Sequence, residues 1–238
     1  MFRRVGLAIV AGCLVRAAVV AAASIPVPNH SFENPAVLPP ASPFTSAWTL
    51  SGPELLEFPF PGSGFFVNIG TVVFPNTDPL SPDHISNLDG NQSASISALT
   101  GNEFSQLLTH AYQAEKLYGL TVGVGINFGT PAQQPATTAL VRLSLFYLDD
   151  LNQRQTVASV DVANSAANAL SPNLIKDFTA VSPLLDASHP AIGKPIGILL
   201  ATQGPQGGYF NMDNVRLSEV PEPGSLGLIA IAGASMLG

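Results

Sequence analysis

The side chains able to do chemistry are few and scattered along the chain. Acid–base catalysis needs two positioned carboxylates or a histidine with a partner. Asp149 and Asp150 are neighbours that end an apolar run, so their side chains diverge and a turn accounts for them. His30, His84, His110 and His189 fall in unrelated contexts, with no H-E-x-x-H spacing for a metal. There is no G-x-S-x-G nucleophile elbow. Gly123-Val124-Gly125-Ile126-Asn127-Phe128-Gly129 has the wrong glycine spacing for a dinucleotide loop. The single cysteine, Cys13, lies in an N-terminal apolar stretch, so the chain beyond it has no disulfide, thiolate metal site or cysteine nucleophile. These residues point to a protein that is not an enzyme. What remains are aromatic side chains able to offer a ligand a flat apolar face. Trp48 and Tyr209 are the candidates, Tyr209 standing beside the flexible Gln203-Gly204-Pro205-Gln206-Gly207-Gly208 stretch. Tyr112 is also available, whereas Tyr147 follows a core pattern.

The bulk composition sets the frame for those groups. The chain has 238 residues, 46% of them hydrophobic, enough for one domain with a sizeable core. Only 11% are charged, against about a quarter in typical soluble proteins. Ser, Thr, Asn and Gln must therefore cover much of the surface, which suits an extracellular protein. The net charge of −7 and the scattering of Lys116, Arg142, Arg154, Lys176, Lys194 and Arg216 exclude a nucleic-acid face, which needs a basic stripe to release counterions.

The elements that would position the aromatics read as strands. Tyr118, Leu120, Val122, Val124 and Ile126 share one face of an alternating segment with small residues opposite. Ala139, Val141, Leu143, Leu145 and Tyr147 face one way along a second. Residues 156–162, 195–201 and 209–217 add three more, and 91–98 follows the turn Leu88-Asp89-Gly90-Asn91. Residues 31–65 and 74–82, rich in Pro and Gly, read as long loops around short strands. Many short strands between Gly, Pro, Asn and Asp turns predict an all-β jelly-roll sandwich of two antiparallel sheets over residues 24–219. Phe104, Leu107, Leu108 and Ala111 have helical spacing, so residues 103–116 stay open between helix and strand.

The two ends are set apart. Met1–Ala23 has the parts of a secretory signal: Arg3 and Arg4, a mostly apolar Val5–Val20, and Ala21-Ala22-Ala23 before Ser24. Export follows from it. At the other end, Pro221-Glu222-Pro223 precedes an apolar run from Ser225 to Gly238, where a helix can begin only after the prolines. That run is shorter than the about 20 residues a ~30 Å bilayer core needs.

Two resemblances bear on function. Pro221-Glu222-Pro223 and the apolar residues after it resemble the PEP-CTERM sorting signal of bacteria that make exopolysaccharide, without its terminal arginine cluster. The resemblance implies an exosortase-type sorting enzyme as partner and a C-terminal sorting helix over residues 220–238 that anchors the protein to the membrane. Between the ends, Val27-Pro28-Asn29-His30-Ser31-Phe32-Glu33-Asn34, Trp48, Leu88-Asp89-Gly90-Asn91 and Phe210-Asn211-Met212-Asp213-Asn214-Val215-Arg216-Leu217 resemble galactose-binding-like jelly rolls, which include many carbohydrate-binding modules. That resemblance implies a structural calcium between the opening and closing strands, with Glu33 and Asp213 as its carboxylates, because calcium takes hard oxygen ligands. Together they imply an exported, non-catalytic component of the cell envelope or exopolysaccharide matrix. The alternative is a carbohydrate-binding module that grips an extracellular polysaccharide.

Overall fold

Strand after strand, the alternation written in the sequence becomes two faces, one in the core and one outside. In the computed structural model residues 22–220 are described, apart from 38–40, 43–44, 54–55, 58–65, 68, 75–77, 82–83, 128–133 and 206. The signal segment Met1–Ala21 and the tail Pro221–Gly238, with its sorting motif and helix, lie outside the described residues. Residues 22–220 form one compact unit. It is all-β, and among the described residues no helix is long and apolar enough to cross a membrane.

In chain order the strands are β1 (Ala23–Ile25), β2 (Ala41–Ser42), β3 (Thr49–Ser51), β4 (Leu56–Glu57), β5 (Phe66–Val67), β6 (Ile69–Val73) and β7 (Gln92–Ser97). There follow β8 (Glu103–Ala111), β9 (Leu117–Ile126), β10 (Leu140–Leu148), β11 (Arg154–Ala163), β12 (Lys176–Val181), β13 (Pro195–Gln203) and β14 (Tyr209–Val220). A seven-stranded sheet runs β12-β9-β14-β7-β6-β2, with β1 also on β14; a five-stranded sheet runs β11-β10-β13-β8-β3; β4 and β5 pair alone. Every pairing within the two sheets is antiparallel, as a jelly-roll sandwich requires.

The core lies between the sheets. Tyr118, Leu120, Val122 and Val124 of β9 and Val141, Leu143 and Leu145 of β10 are fully buried, on the alternate positions the sequence indicates. Residues 103–116 resolve as strand β8 and its turn. The helical spacing misleads because Phe104 and Leu108 enter the core while Leu107 stands on the outer face, 50% exposed.

Two aromatic clusters fix the ends of the core. Phe32 stacks on Trp48 at 5.2 Å between centroids and meets Phe104 edge-on at 5.7 Å. Tyr112 meets Tyr118 edge-on at 5.1 Å, and its hydroxyl donates to the Phe146 carbonyl at 3.1 Å. Burial pushes the Tyr112 hydroxyl far above the usual phenol range, so it serves as a donor and not as a base.

Trp48 is thereby removed as a ligand platform. It is 5% exposed, its ring is covered by Phe32, and its indole N–H donates to the Asn29 carbonyl at 3.1 Å. Its apolar bulk is spent on the core. Trp48→Ala is expected to cost about 3–5 kcal/mol in urea denaturation, as aromatic truncations in cores do. Trp48→Phe should retain most of that stability.

Candidate functional site

Strand β14 carries a bulge that organises one end of the molecule. Its register with β9 shifts between Asp213 and Arg216, and Asn214 sits at φ 54°. Phe210 and Met212 face the core before the bulge, Val215 and Leu217 after it, so the extra residue switches the inward parity. Released from the ladder, the Val215 N–H donates to the His30 carbonyl at 2.9 Å and ties down the opening segment. Asp213 points to the outer face, completely buried.

The opening segment and the turn after Leu88 close over Asp213. Its Oδ2 accepts the Asp89 N–H at 2.6 Å. Glu33 Oε1 accepts the N–H groups of Asn91 and Gln92 at 2.8 and 2.5 Å. Gly90 has φ +93°, and a Cβ there would lie 2.5 Å from Glu33 Oε1, so the carboxylate rests directly on a turn that only glycine can make. Left-handed backbone recurs around this point, at Asn29, Phe32, Asn87 and Asn214. For a bulky residue such as Phe32 that conformation is strained, and such strain gathers at functional sites.

The structure thus brings Glu33 and Asp213 onto one turn, with Asp89 3.4 Å from His30 at its exposed edge. Asp213 Oδ1 is buried without a partner. Desolvation first, then the nearby charges of Asp89 and Glu33, push the Asp213 carboxyl up to about 8. What this arrangement lacks is positive charge. Among the described residues no group of three or more His, Cys, Asp or Glu is placed to hold a metal ion by side chains alone. A calcium there must draw further oxygens from backbone carbonyls, as calcium ordinarily does.

The second feature is an open cleft of about 380 Å³ on the outer face of the five-stranded sheet, lined by Thr49, Ser105, Leu107, Phe146, Asn152 and Arg154 among others. The register places Leu107 of β8, Gly197 of β13 and Phe146 of β10 in one row across three strands. The sheet is irregular on both sides of that row: β10–β11 shifts between Leu145 and Phe146, and β13–β8 between Pro195 and Gly197. At the first of these the Tyr112 hydroxyl donates to the Phe146 carbonyl.

Arg154 organises the polar side of the cleft. Its guanidinium lies 5.3 Å from the Phe146 ring centroid. Its Nη1 donates to Glu103 Oε1 at 2.7 Å and its Nη2 to Ser105 Oγ at 3.2 Å. Ser51 Oγ donates to the same Glu103 oxygen at 2.7 Å. The pair is partly shielded, Arg154 being 38% and Glu103 20% exposed, so it holds its geometry better than a pair in open water.

Neither Phe146 nor Arg154 was singled out by the sequence. A signal existed: along β10 the outward positions read Arg142, Ser144, Phe146, so an aromatic interrupts a polar face. Tyr209, the remaining aromatic candidate, is half-buried on β14 of the other sheet and does not line the cleft.

Comparison with known proteins bears on what these sites do. A family model described as HpiC1-like, HpiC1 cyclase, matches residues 23–218. Among solved structures, a Stig cyclase, Fisc, from Fischerella sp. TAU in complex with (3Z)-3-(1-methyl-2-pyrrolidinylidene)-3H-indole is 24% identical; the match covers 84% of this chain and 99% of that one, with a TM-score of 0.61. A cyclase from Fischerella sp. TAU in complex with 4-(1H-indol-3-yl)butan-2-one is 22% identical over 83% of this chain and 98% of that one, with a TM-score of 0.60. At these identities the structures establish a shared fold. No curated protein matches the sequence.

The family match corrects the functional expectations. The jelly roll stands, but the family is one of cyclases, so the domain is enzymatic and not a non-catalytic envelope component or carbohydrate-binding module. The sequence suggested otherwise because it carries none of the spaced motifs that mark hydrolases, metalloenzymes or nucleotide enzymes. The PEP-CTERM reading of Pro221, Glu222 and Pro223 falls outside the matched residues, and the exosortase, polysaccharide and membrane-anchor expectations lose their support.

The raised Asp213 carboxyl has a consequence for stability. Its unfolded value is near 3.8 and its folded value about 8, so between these the native state holds a proton that the unfolded state has lost. Chelator-treated protein should therefore lose stability steadily as the pH rises from about 4 to 8. Asp213→Asn should remove most of that slope, as chemical denaturation at several pH values would reveal.

Proposed function

The chain belongs to the HpiC1-like cyclase family, and from that premise we propose that it cyclises a small aromatic molecule held in the Phe146 cleft. The observation that carries this reading is the coincidence of room, apolar surface and a shielded charge pair at one place. The cleft of about 380 Å³ falls within the range of small-molecule sites. At the acidic turn, by contrast, Asp213 is completely buried and its Oδ1 is closed off from solvent. One site is built for an organic ring and the other for an ion. The ligands carried by the two similar cyclases, both indole compounds, fit the same division.

In this arrangement the exposed Leu107 supplies an apolar wall that excludes water from one side of the substrate, and Phe146, 3% exposed beneath Arg154, supports the floor of the cleft from below. The guanidinium of Arg154 has five N–H donors. Glu103 and Ser105 engage two of them, and the group is oriented toward a substrate acceptor. Ring closure develops charge, and preorganised groups stabilise it without reorganisation. Arg154 polarises an acceptor atom of the substrate, and the Glu103 carboxylate paired to it holds the guanidinium in place. Because cyclisation is an isomerisation, a proton removed at one atom returns to another, and in this proposal Glu103, reached through Arg154 at the edge of the cleft, carries it.

Purified protein should bind 4-(1H-indol-3-yl)butan-2-one, and Phe146→Ala should weaken binding about tenfold, or ~1.4 kcal/mol, the scale of an aromatic stacking contact. Arg154→Ala should weaken it comparably, and Glu103→Gln should lower turnover while leaving binding nearly unchanged. Retention of full affinity by both Phe146→Ala and Arg154→Ala, measured by calorimetry on folded protein, would exclude this cleft.

Calcium belongs to the proposal at the acidic turn, where Glu33 and Asp213 would hold it with backbone carbonyls. The ion would supply the missing positive charge and pin the opening segment to β14; it has no part in bond making. A hundredfold excess of calcium over its dissociation constant stabilises by about 2.7 kcal/mol. Melting in calcium against chelator should show that gain in the parent and none in Asp213→Asn. Export through Met1–Ala23 completes the reading, placing the enzyme where calcium is plentiful.

A further inference from the structure

Gly197 has no side chain, and it lies beneath the Phe146 ring, which is 3% exposed at the base of the cleft. A Cβ built on it would collide with the Cζ, Cε1 and Cε2 atoms of Phe146. Those atoms form the outer end of the ring, so the ring lies flat across the glycine and not upright from the sheet. Three observations hold it there. Gly197 pairs directly with Phe146 in the β10–β13 register. The Phe146 carbonyl is fixed by the buried Tyr112 hydroxyl at 3.1 Å. The Arg154 guanidinium lies 5.3 Å from the ring centroid.

The backbone gives no separate reason for glycine. Gly197 lies within regular strand β13 and has no left-handed φ, unlike Gly193 and Gly204 on either side of that strand. The nearest obstacle to a methyl group at 197 is the Phe146 ring. On its other side Gly197 pairs with Leu107, the exposed apolar residue of β8 that also lines the cleft. The glycine is therefore a low point between two apolar walls, and the Phe146 ring settles into it.

We propose that Gly197 is a positioning residue that sets the depth of the substrate cleft by letting Phe146 lie flat. Any side chain at 197 lifts the ring away from the sheet and, with it, the Arg154 guanidinium that lies over the ring and lines the cleft. The lifted pair removes space from the side where a long substrate must lie. Small residues at 197 with a flat Phe146 admit long ring-bearing substrates; larger ones restrict the enzyme to short ones. This inference rests on the cleft being the substrate site.

The test compares two probes, indole and 4-(1H-indol-3-yl)butan-2-one, on Gly197→Ala, Phe146→Leu and the double variant, each checked for folding by its melting curve. Gly197→Ala is expected to weaken the longer probe about tenfold more than indole. In the Phe146→Leu background, where the flexible side chain can move aside, the added alanine should no longer change the ratio. A general loss of packing would lower both affinities equally and would not be rescued by Phe146→Leu. Equal effects on the two probes, or an unchanged ratio in folded Gly197→Ala, overturn the role of Gly197. If Phe146→Leu alone leaves both affinities at the parent values, the cleft itself is the wrong site, which is a separate failure.

Discussion

The bulge in β14 is the constraint from which most of the molecule follows. β14 lies inside the seven-stranded sheet, paired with β7 and β1 along one edge and β9 along the other. Without the extra residue, the inward parity that buries Phe210 and Met212 would turn Val215 and Leu217 outward. With it, both halves of the strand feed the core. The same irregularity frees the Val215 N–H for the His30 carbonyl and places Asp213 under the Leu88–Asn91 turn. Core, opening segment and acidic turn are thus coupled through three consecutive residues.

The five-stranded sheet uses irregularity differently. Its register shifts fall beside Phe146 and Gly197, in the central strands, and the polar network of Glu103, Arg154, Ser105 and Ser51 crosses from β11 to β3 over the same face. A regular sheet would present an unbroken polar surface. The shifts and the glycine create a depression floored by an aromatic ring. Tyr112 links this depression to the core, because its ring packs against Tyr118 while its hydroxyl holds the Phe146 backbone. The cleft is therefore rigid at its base, as a site built on strands tends to be.

Much of the fold was legible in the sequence, for a physical reason. Along β9 and β10 the core side chains recur at alternate positions, so their periodicity is clean and their boundaries fall close to the observed ones. β8 was ambiguous because Leu107 serves the cleft and so violates the alternation that Phe104 and Leu108 obey. β12 passed unnoticed: it is an edge strand with only Ala180 buried, so its sequence carries almost no core signal. Glu33 and Asp213 were named through the resemblance to galactose-binding-like opening and closing strands, and the structure brings them onto one turn. Phe146 and Arg154 were not, since an aromatic inside an apolar run and an arginine in a polar hairpin look ordinary until the register sets them over one another. Local consistency was thus greatest where the sequence serves only stability and failed where it serves function.

The same asymmetry explains why enzymatic activity was invisible. Hydrolases and metalloenzymes need reactive groups at fixed spacings along the chain, and these spacings leave motifs. A cyclase that folds a substrate onto itself asks mainly for a shaped surface and a few charges held in place. Gly197, Leu107 and Phe146 come from three strands separated by long stretches of chain, and none is reactive. Their contribution is geometric, and geometry of this kind is written in sheet register, not in residue type. The acidic turn shows the converse case: Asp213 is chemically conspicuous, yet it is completely buried and tied to the Asp89 N–H. On the proposed reading, chemical reactivity and catalytic position are separated in this domain, the reactive group holding the scaffold and the inert ones shaping the cleft.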